Sequence, residues 1–129
     1  MCIRDRFIPV IAPVGFDINR QPDEEGSLLN INADTVAGFI ASALKASRMV
    51  FLTDVEGVLD SSHRLISRVT KRQADMLVRS NVIAGGMLPK MEACLEALNG
   101  GAVSQIIDGR VPGALKRLVS GENIGTRIG

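Results

Sequence analysis

Three short stretches of this sequence have residue types and spacings that could do chemistry. In Gly85-Gly86-Met87-Leu88-Pro89-Lys90 a glycine pair leads into a helical apolar pattern. With Gly86 near the cap, Pro89 falls in the first helical turn, where its missing N–H costs little. Lys90 then stands one turn in, where a cation opposes the helix dipole by about 0.3–1 kcal/mol. The same place suits a bound anion, because glycine lets the backbone come close, free N–H groups point outward and the lysine adds charge. Together these features point to phosphate, against the blander reading of a solvated surface lysine.

The second stretch, Asn30-Ile31-Asn32-Ala33-Asp34, sets two amides and a carboxylate at the entrance to a helix. Capping explains much of it, since Asn and Asp bond orphan amides and complement the dipole. Either Asn32 or Asn30 can be the cap. Only one residue can cap, however, so one amide and one carboxylate are left to meet a ligand. The third stretch is Thr53-Asp54-Val55-Glu56-Gly57-Val58-Leu59-Asp60, an apolar strand running into an acidic turn. A strand end with a glycine turn accounts for most of it. At a ligand edge, the same backbone is a shelf for an adenine and a ribose.

Other chemistries lack members. Neither G-x-x-x-x-G-K-[ST] nor G-x-G-x-x-G occurs. The only histidine, His63, lies in a polar turn, and a triad or a His/Cys metal site has too few residues. Cys94 falls on the apolar face of its helix and reads as a small core residue.

The elements that must position these stretches follow from periodicity. Phe7–Val14, Met49–Thr53 and Val103–Ile107 are apolar and β-branched, as buried strands are. Gly15–Ser27 carries loop chemistry with room for a short hairpin, and Leu65–Val69 is a short strand. Val36, Ile40, Ala43 and Leu44 recur at helical spacing, Lys71–Arg79 reads as a helix, and Gly113–Val119 as a last short one. Met87, Met91, Cys94, Leu95 and Leu98 form the clearest helical stripe, stopped by Asn99-Gly100-Gly101. Strands alternating with helices predict an α/β fold with a mainly parallel open sheet between helices. Ligands of such sheets sit beyond the carboxyl ends of the strands, which is where all three stretches fall.

Composition narrows the partners. The 129 residues are 46% apolar and 22% charged, in keeping with one globular domain. A net charge of +1 gives no general pull toward nucleic acid or an anionic membrane, and four Phe without Trp or Tyr make no base-stacking platform. No segment approaches the roughly 20 apolar residues of a membrane span. Two cysteines fit a reducing, cytoplasmic setting. Met1–Arg6 matches neither strand nor helix patterning and reads as a non-native junction ahead of a lobe spanning residues 7–129.

Taken in order, the stretches resemble the carboxyl-terminal half of the acetylglutamate kinases, within the amino-acid kinase family. The resemblance rests on GSLLNINADTVAGFIASAL at Gly26–Leu44, FLTDVEGVLD at Phe51–Asp60 and VIAGGMLPKMEACLEAL at Val82–Leu98. IIDGRVPGAL at Ile106–Leu115 and IGTRI at Ile124–Ile128 complete it. It implies the carboxyl-terminal, ATP-binding lobe of the amino-acid kinase fold. The implied activity is ATP-dependent phosphorylation of the γ-carboxylate of N-acetyl-L-glutamate, a step of arginine biosynthesis. Asn30 would contact N-acetyl-L-glutamate, Asp34 would hold catalytic lysines in place, and Lys90 would stabilise the phosphoryl group in flight. Asp54, Val55, Glu56, Gly57, Val58 and Leu59, with Val82, Ile83 and Ala84, would bind ATP, and Mg²⁺ would bridge its phosphates. The full-length parent would be a homo-oligomer.

That assignment suits what the sequence lacks. A γ-carboxylate has a reference pKa of about 4.3 and is ionised at neutral pH, so no general base is needed. Phosphoryl transfer asks instead for positioning and positive charge. The family's amino-terminal lobe carries a glycine-rich loop with another lysine, a second glycine cluster and a substrate-binding arginine, none of which precedes Phe7. The expectation is therefore a truncated chain, inactive alone. Arginine-sensitive members often carry a histidine after D-G-R-x-P, where this chain has Gly113. Alternatives are an acetylaminoadipate, glutamate or aspartate kinase, or a non-catalytic nucleotide-binding module.

Overall fold

A computed structural model describes residues 8–83 and 85–129, so the expectations for Met1–Arg6 and for Ala84 lie outside the described residues. Two strands, β1 (Val14–Phe16) and β2 (Leu28–Asn30), pair antiparallel as a small hairpin around the polar Gly15–Ser27 region. The main sheet holds β3 (Arg48–Thr53), β4 (Arg68–Val69), β5 (Val103–Asp108) and β6 (Thr126–Ile128) in the order β3-β5-β6-β4. β3 and β5 run parallel, as do β4 and β6, while β5 and β6 are antiparallel. With helices on it, this mixed, mostly parallel sheet is the α/β class that the alternation predicts.

Four helices accompany it: α1 (Ala33–Ala43), α2 (Lys71–Arg79), α3 (Met87–Asn99) and α4 (Ala114–Val119). α2 starts at a capping box in which Thr70 and Gln73 satisfy each other's backbone N–H groups. α3 packs against both α1 and the sheet, so Met91, Ala93, Cys94 and Ala97 are all buried and its apolar surface exceeds a single stripe. One cluster joins these residues to Phe51, Val69, Ile106 and Ile128 on one face of the sheet. A smaller cluster on the other face joins Ile107 to Ala114 and Leu118 of α4. β5 is the central strand, buried from Ser104 to Ile107 on both faces.

Three expectations change. Residues 8–13 are not a buried strand: Ile8 and Val10 are 89% and 96% exposed, and pairing begins only at Val14. The alternation in that run is real, since Pro9, Ile11 and Pro13 line an apolar groove with Val36, Ile40 and Met49. Pro13 O accepts from Ile31 N at 2.9 Å just past β2, but no described strand runs alongside the rest of the run, and Pro9 and Pro13 have no N–H to offer. Leu65–Val69 shrinks to the two residues of β4, with Leu65 making only an isolated bridge to Leu59. β6 was not anticipated, because a three-residue strand behind a glycine leaves almost no periodicity to read. Gly125 permits it: its φ is +68°, and a Cβ there would run into the Ile106 carbonyl.

Candidate active site

The amino-terminal ends of α1 and α3 lie side by side, because the two helices are in close contact along their length. At Gly38 there is no room for a side chain against the Ala93 backbone, and Gly100, at the end of α3, sits just as tightly on Ser42 of α1. At that shared end Lys90 Nζ donates to Asp34 Oδ2 at 3.1 Å, and both side chains are largely buried, 24% and 19% exposed. Two residues 56 apart in sequence are thus brought into one ion pair. A pair so placed is shielded from solvent more than a surface bridge, yet open enough for its charges to reach a ligand.

The cap question resolves in favour of Asn32, whose Oδ1 accepts from Thr35 N at 3.0 Å. Asn30 ends β2 and is exposed, and its amide makes no hydrogen bond among the described residues. It is the amide left over by capping. Asp34 in the first turn of α1 complements the dipole as well as meeting Lys90.

α3 begins differently. Its N-cap is Gly86, which has no side chain to cap with, and Pro89 falls in the first turn. Nothing lies within 4 Å of where a Cβ would stand on Gly85 or Gly86, and Gly85 has a φ of +57°. The space above the helix end is open. The amino-terminal end of α3 opens onto this space, while Lys90, one turn in, turns its Nζ to Asp34.

The Asp54–Leu59 segment leaves the carboxyl end of β3 and divides into two parts. Asp54, Val55 and Glu56 are exposed, and Thr53 Oγ1 fixes the turn by bonding Val55 N at 3.1 Å. Gly57 and Val58 turn inward and are buried. Val58 N donates to Thr126 Oγ1 at 2.8 Å, and Val58 O accepts from Ile66 N at 2.8 Å, so neither backbone group of Val58 is free for a ligand. Leu59, half-buried, closes the segment with its bridge to Leu65. Val82 is exposed, whereas Ile83 is 4% exposed and belongs to the core. Val58 and Ile83 thus support the surface from beneath.

Two features escaped the sequence reading. Thr126, fully buried, also donates to Ile66 O at 2.7 Å and so pins the Asp54–Leu59 segment from below. At the end of β5, Arg110 grips Asp108 through Nε at 2.9 Å and an Nη at 2.7 Å. That guanidinium, with the Arg110 backbone N–H, holds the Asp108 carboxyl down to about 2. D-G-R in the sequence was the available signal, since an acid two residues before an arginine across a glycine can fold back on it. His63 has a φ of +57° in the Asp60–Arg64 turn and is a turn residue. Cys94 is fully buried, and burial pushes its thiol up to about 12, with the Ser104 hydroxyl working against the rise and Asp34 adding repulsion.

At this edge the α/β sheet carries two helix amino-termini and the Lys90–Asp34 pair. The family model described as the amino acid kinase family matches residues 1–108, and the chain belongs to that family. Its relatives include proteins named acetylglutamate kinase. One from Nitratidesulfovibrio vulgaris is 48% identical over 127 residues, covering 97% of this chain and 39% of its own length. Another from Persephonella marina is 44% identical over 126 residues, covering 96% and 40%. The chain thus spans about two fifths of the curated relatives it matches. Among solved structures, an N-acetylglutamate synthase from Neisseria gonorrhoeae aligns over 92% of this chain and 26% of its own, with a TM-score of 0.78 at 24% identity. A carbamate kinase from Giardia lamblia bound to AMP-PNP aligns over 81% and 35%, with a TM-score of 0.66 at 23% identity. At those identities the two structures speak to the fold alone.

Proposed function

We propose that this chain forms the ATP-binding part of an enzyme that transfers a phosphoryl group from ATP to the γ-carboxylate of N-acetyl-L-glutamate. The observation carrying the reading is the Lys90–Asp34 pair at the open end of α3, with N-x-N-A-D and G-G-M-x-x-K on the two helices that meet there. Relatives named acetylglutamate kinase over nearly the whole chain support the choice of acceptor.

In this reading the Lys90 ammonium stabilises the negative charge of the migrating phosphoryl group while keeping its own protons, and Asp34 orients the ammonium without taking a proton. Asn30 offers its unengaged amide to the acyl amino acid. ATP lies over Asp54–Leu59 and beside Val82, Ile83 and Ala84, its phosphates toward Gly85, Gly86 and the first turn of α3. Asp54, Val55, Glu56 and Val82 make the contacts, on the firm base of Gly57, Val58, Leu59 and Ile83. Because the acceptor carboxylate is already ionised, catalysis is positioning and charge stabilisation. Mg²⁺ would arrive on the nucleotide phosphates and neutralise developing charge, which asks few ligands of the protein. Among the described residues no three metal-binding side chains cluster. No helix of the described residues is long and apolar enough to cross a membrane.

The test is a chimera in which these 129 residues replace the matching segment of the Nitratidesulfovibrio vulgaris relative. It should form an acyl phosphate from N-acetyl-L-glutamate and MgATP, which hydroxylamine traps as a hydroxamate. A folded chimera that binds ATP but yields no hydroxamate with this acceptor would refute the substrate. The chain alone should bind MgATP weakly and give no turnover. Turnover by the chain alone would show that these 129 residues suffice.

A further inference from the structure

Asn99-Gly100 is the only Asn–Gly pair in the sequence. It closes α3, with Asn99 the last helical residue and Gly100 the C-cap. Packing dictates the glycine: a Cβ on Gly100 would run into Ser42 Cα and lie 2.7 Å from the Ser42 carbonyl oxygen, so α1 rests directly on this backbone. A hydrogen bond dictates the residue before it. Lys71, the first residue of α2, is 28 positions away in sequence, and its Nζ donates to Asn99 Oδ1 at 3.0 Å. An ammonium has donors only, so the carboxamide turns its oxygen to it. Lys71 and Asn99 are both exposed, and water reaches the pair from outside.

These two constraints assemble a reactive pair. The backbone nitrogen that follows an asparagine can attack the side-chain Cγ and close a cyclic imide. A glycine, with no Cβ, shields that nitrogen least. Negative charge develops on Oδ1 during the attack, and Lys71 Nζ is already hydrogen-bonded to that atom. A cation fixed where charge develops lowers the barrier of such a step. Releasing the nucleophile orphans nothing. Gly100 N donates to Ala97 O at 3.1 Å, but the same carbonyl accepts from Ala102 N at 3.0 Å and keeps that partner when Gly100 N turns away.

We propose that Asn99-Gly100 is a self-modification site, at which the folded chain loses the Asn99 amide with Lys71 promoting the reaction. A bond forms between Gly100 N and Asn99 Cγ, the Cγ–Nδ2 bond breaks, and ammonia leaves with the proton that Gly100 N gives up. Water then opens the imide at one of its two carbonyls, giving aspartate or isoaspartate. The new carboxylate of the aspartate form faces the Lys71 ammonium, so a neutral acceptor in the tie between α2 and α3 becomes a charged one. The formal net charge falls by one from its value of +1. The site lies at the end of α3 opposite Lys90, and the inference does not depend on the activity proposed above.

The experiment holds the folded 129-residue chain at mildly alkaline pH and follows each asparagine by peptide mass spectrometry, with released ammonia as a second readout. Asn99 should convert while Asn81 and Asn123, followed by valine and isoleucine, keep their amides. Lys71→Met should slow the conversion by about tenfold or more, and Lys71→Arg, which keeps the charge, should convert faster than Lys71→Met. Both substitutions fall at an exposed position and leave the Thr70–Gln73 capping box intact. In urea Lys71 and Asn99 no longer meet, so the original chain and Lys71→Met should convert at the same rate. The proposal is overturned if Asn99 keeps its amide in the folded chain over the time in which the unfolded chain loses it. It is equally overturned if Lys71→Met converts as fast as the original, if Lys71→Arg is no faster than Lys71→Met, or if Lys71→Met is as slow in urea as in the folded state.

Discussion

A Cβ on Gly38 would lie 2.8 Å from the Ala93 carbonyl oxygen and 2.9 Å from its Cα, so α1 and α3 touch backbone to backbone at this point. Asp34 is one turn before Gly38, and Lys90 is three residues before Ala93. The contact therefore sets the separation at which the Lys90 ammonium meets the Asp34 carboxylate. Gly38→Ala must push the helices apart, because the clash is with backbone that has no rotamer to yield. The cost expected for such overpacking is about 1–3 kcal/mol, read from urea denaturation. Loss of coupling between Lys90→Ala and Asp34→Ala in a double-mutant cycle on the Gly38→Ala background should accompany it. Full retention of that coupling would mean that the pair follows its side chains and not the helix spacing.

Capping separates the two asparagines. Asn32→Ala removes the acceptor for Thr35 N and should cost about 0.5–2 kcal/mol. Asn30→Ala removes no hydrogen bond among the described residues and should be nearly neutral in the same melts. A reversed order would overturn the assignment of Asn32 as the cap.

Thr126→Val keeps the shape of a fully buried side chain but strips its hydroxyl, leaving Val58 N–H and Ile66 C=O without that partner. An unsatisfied buried donor costs about 1–3 kcal/mol. Because Val58 anchors the Asp54–Leu59 segment, hydrogen exchange there should quicken more than exchange in α2. Uniform acceleration across the chain would point to a general loss of stability instead.

Acid should reveal the Asp108–Arg110 clamp. Arg110 holds the Asp108 carboxyl at about 2, below its ordinary 3.8. A depressed carboxyl stabilises the folded state above its unfolded value, and that contribution fades as pH falls from near 3.8 to about 2. The stability difference between the original chain and Arg110→Gln should therefore be constant near neutrality and shrink through that window. A difference independent of pH would remove the carboxyl from the explanation.

Much of this arrangement was legible because it depends on local pattern. The stripe through Met91 and Cys94 gave α3, the β-branched runs gave β3 and β5, and Gly86 with Pro89 marked the start of α3. What escaped depends on contacts distant in sequence. β6 is a strand because Thr126 and Ile128 fit beside β5, and nothing within three residues announces that. Residues 8–13 have the alternation of a strand, yet alternation says which faces differ and not what lies against them. The reach of Lys90 to Asp34 follows from Gly38, whose role only the packing of two helices can show.

The last prediction concerns the chemistry, in the chimera that carries this chain. Lys90→Ala should lower kcat far more than it raises KM for N-acetyl-L-glutamate. Its charge matters most while the phosphoryl group is in transit, and an interaction stronger in the transition state than in the ground state is felt in kcat. Loss of one such electrostatic donor typically costs about 10²–10³-fold. Asp34→Asn should resemble it, since the ammonium loses the carboxylate 3.1 Å away that orients it. Asn30→Ala should instead raise KM for the acyl amino acid with a smaller effect on kcat, because its free amide is assigned to the ground-state ligand. Steady-state kinetics with the hydroxamate readout separates the three. If Lys90→Ala kept near-normal kcat, the lysine would be a structural partner of Asp34 only, and the phosphoryl-handling role would have to move elsewhere on the ligand edge.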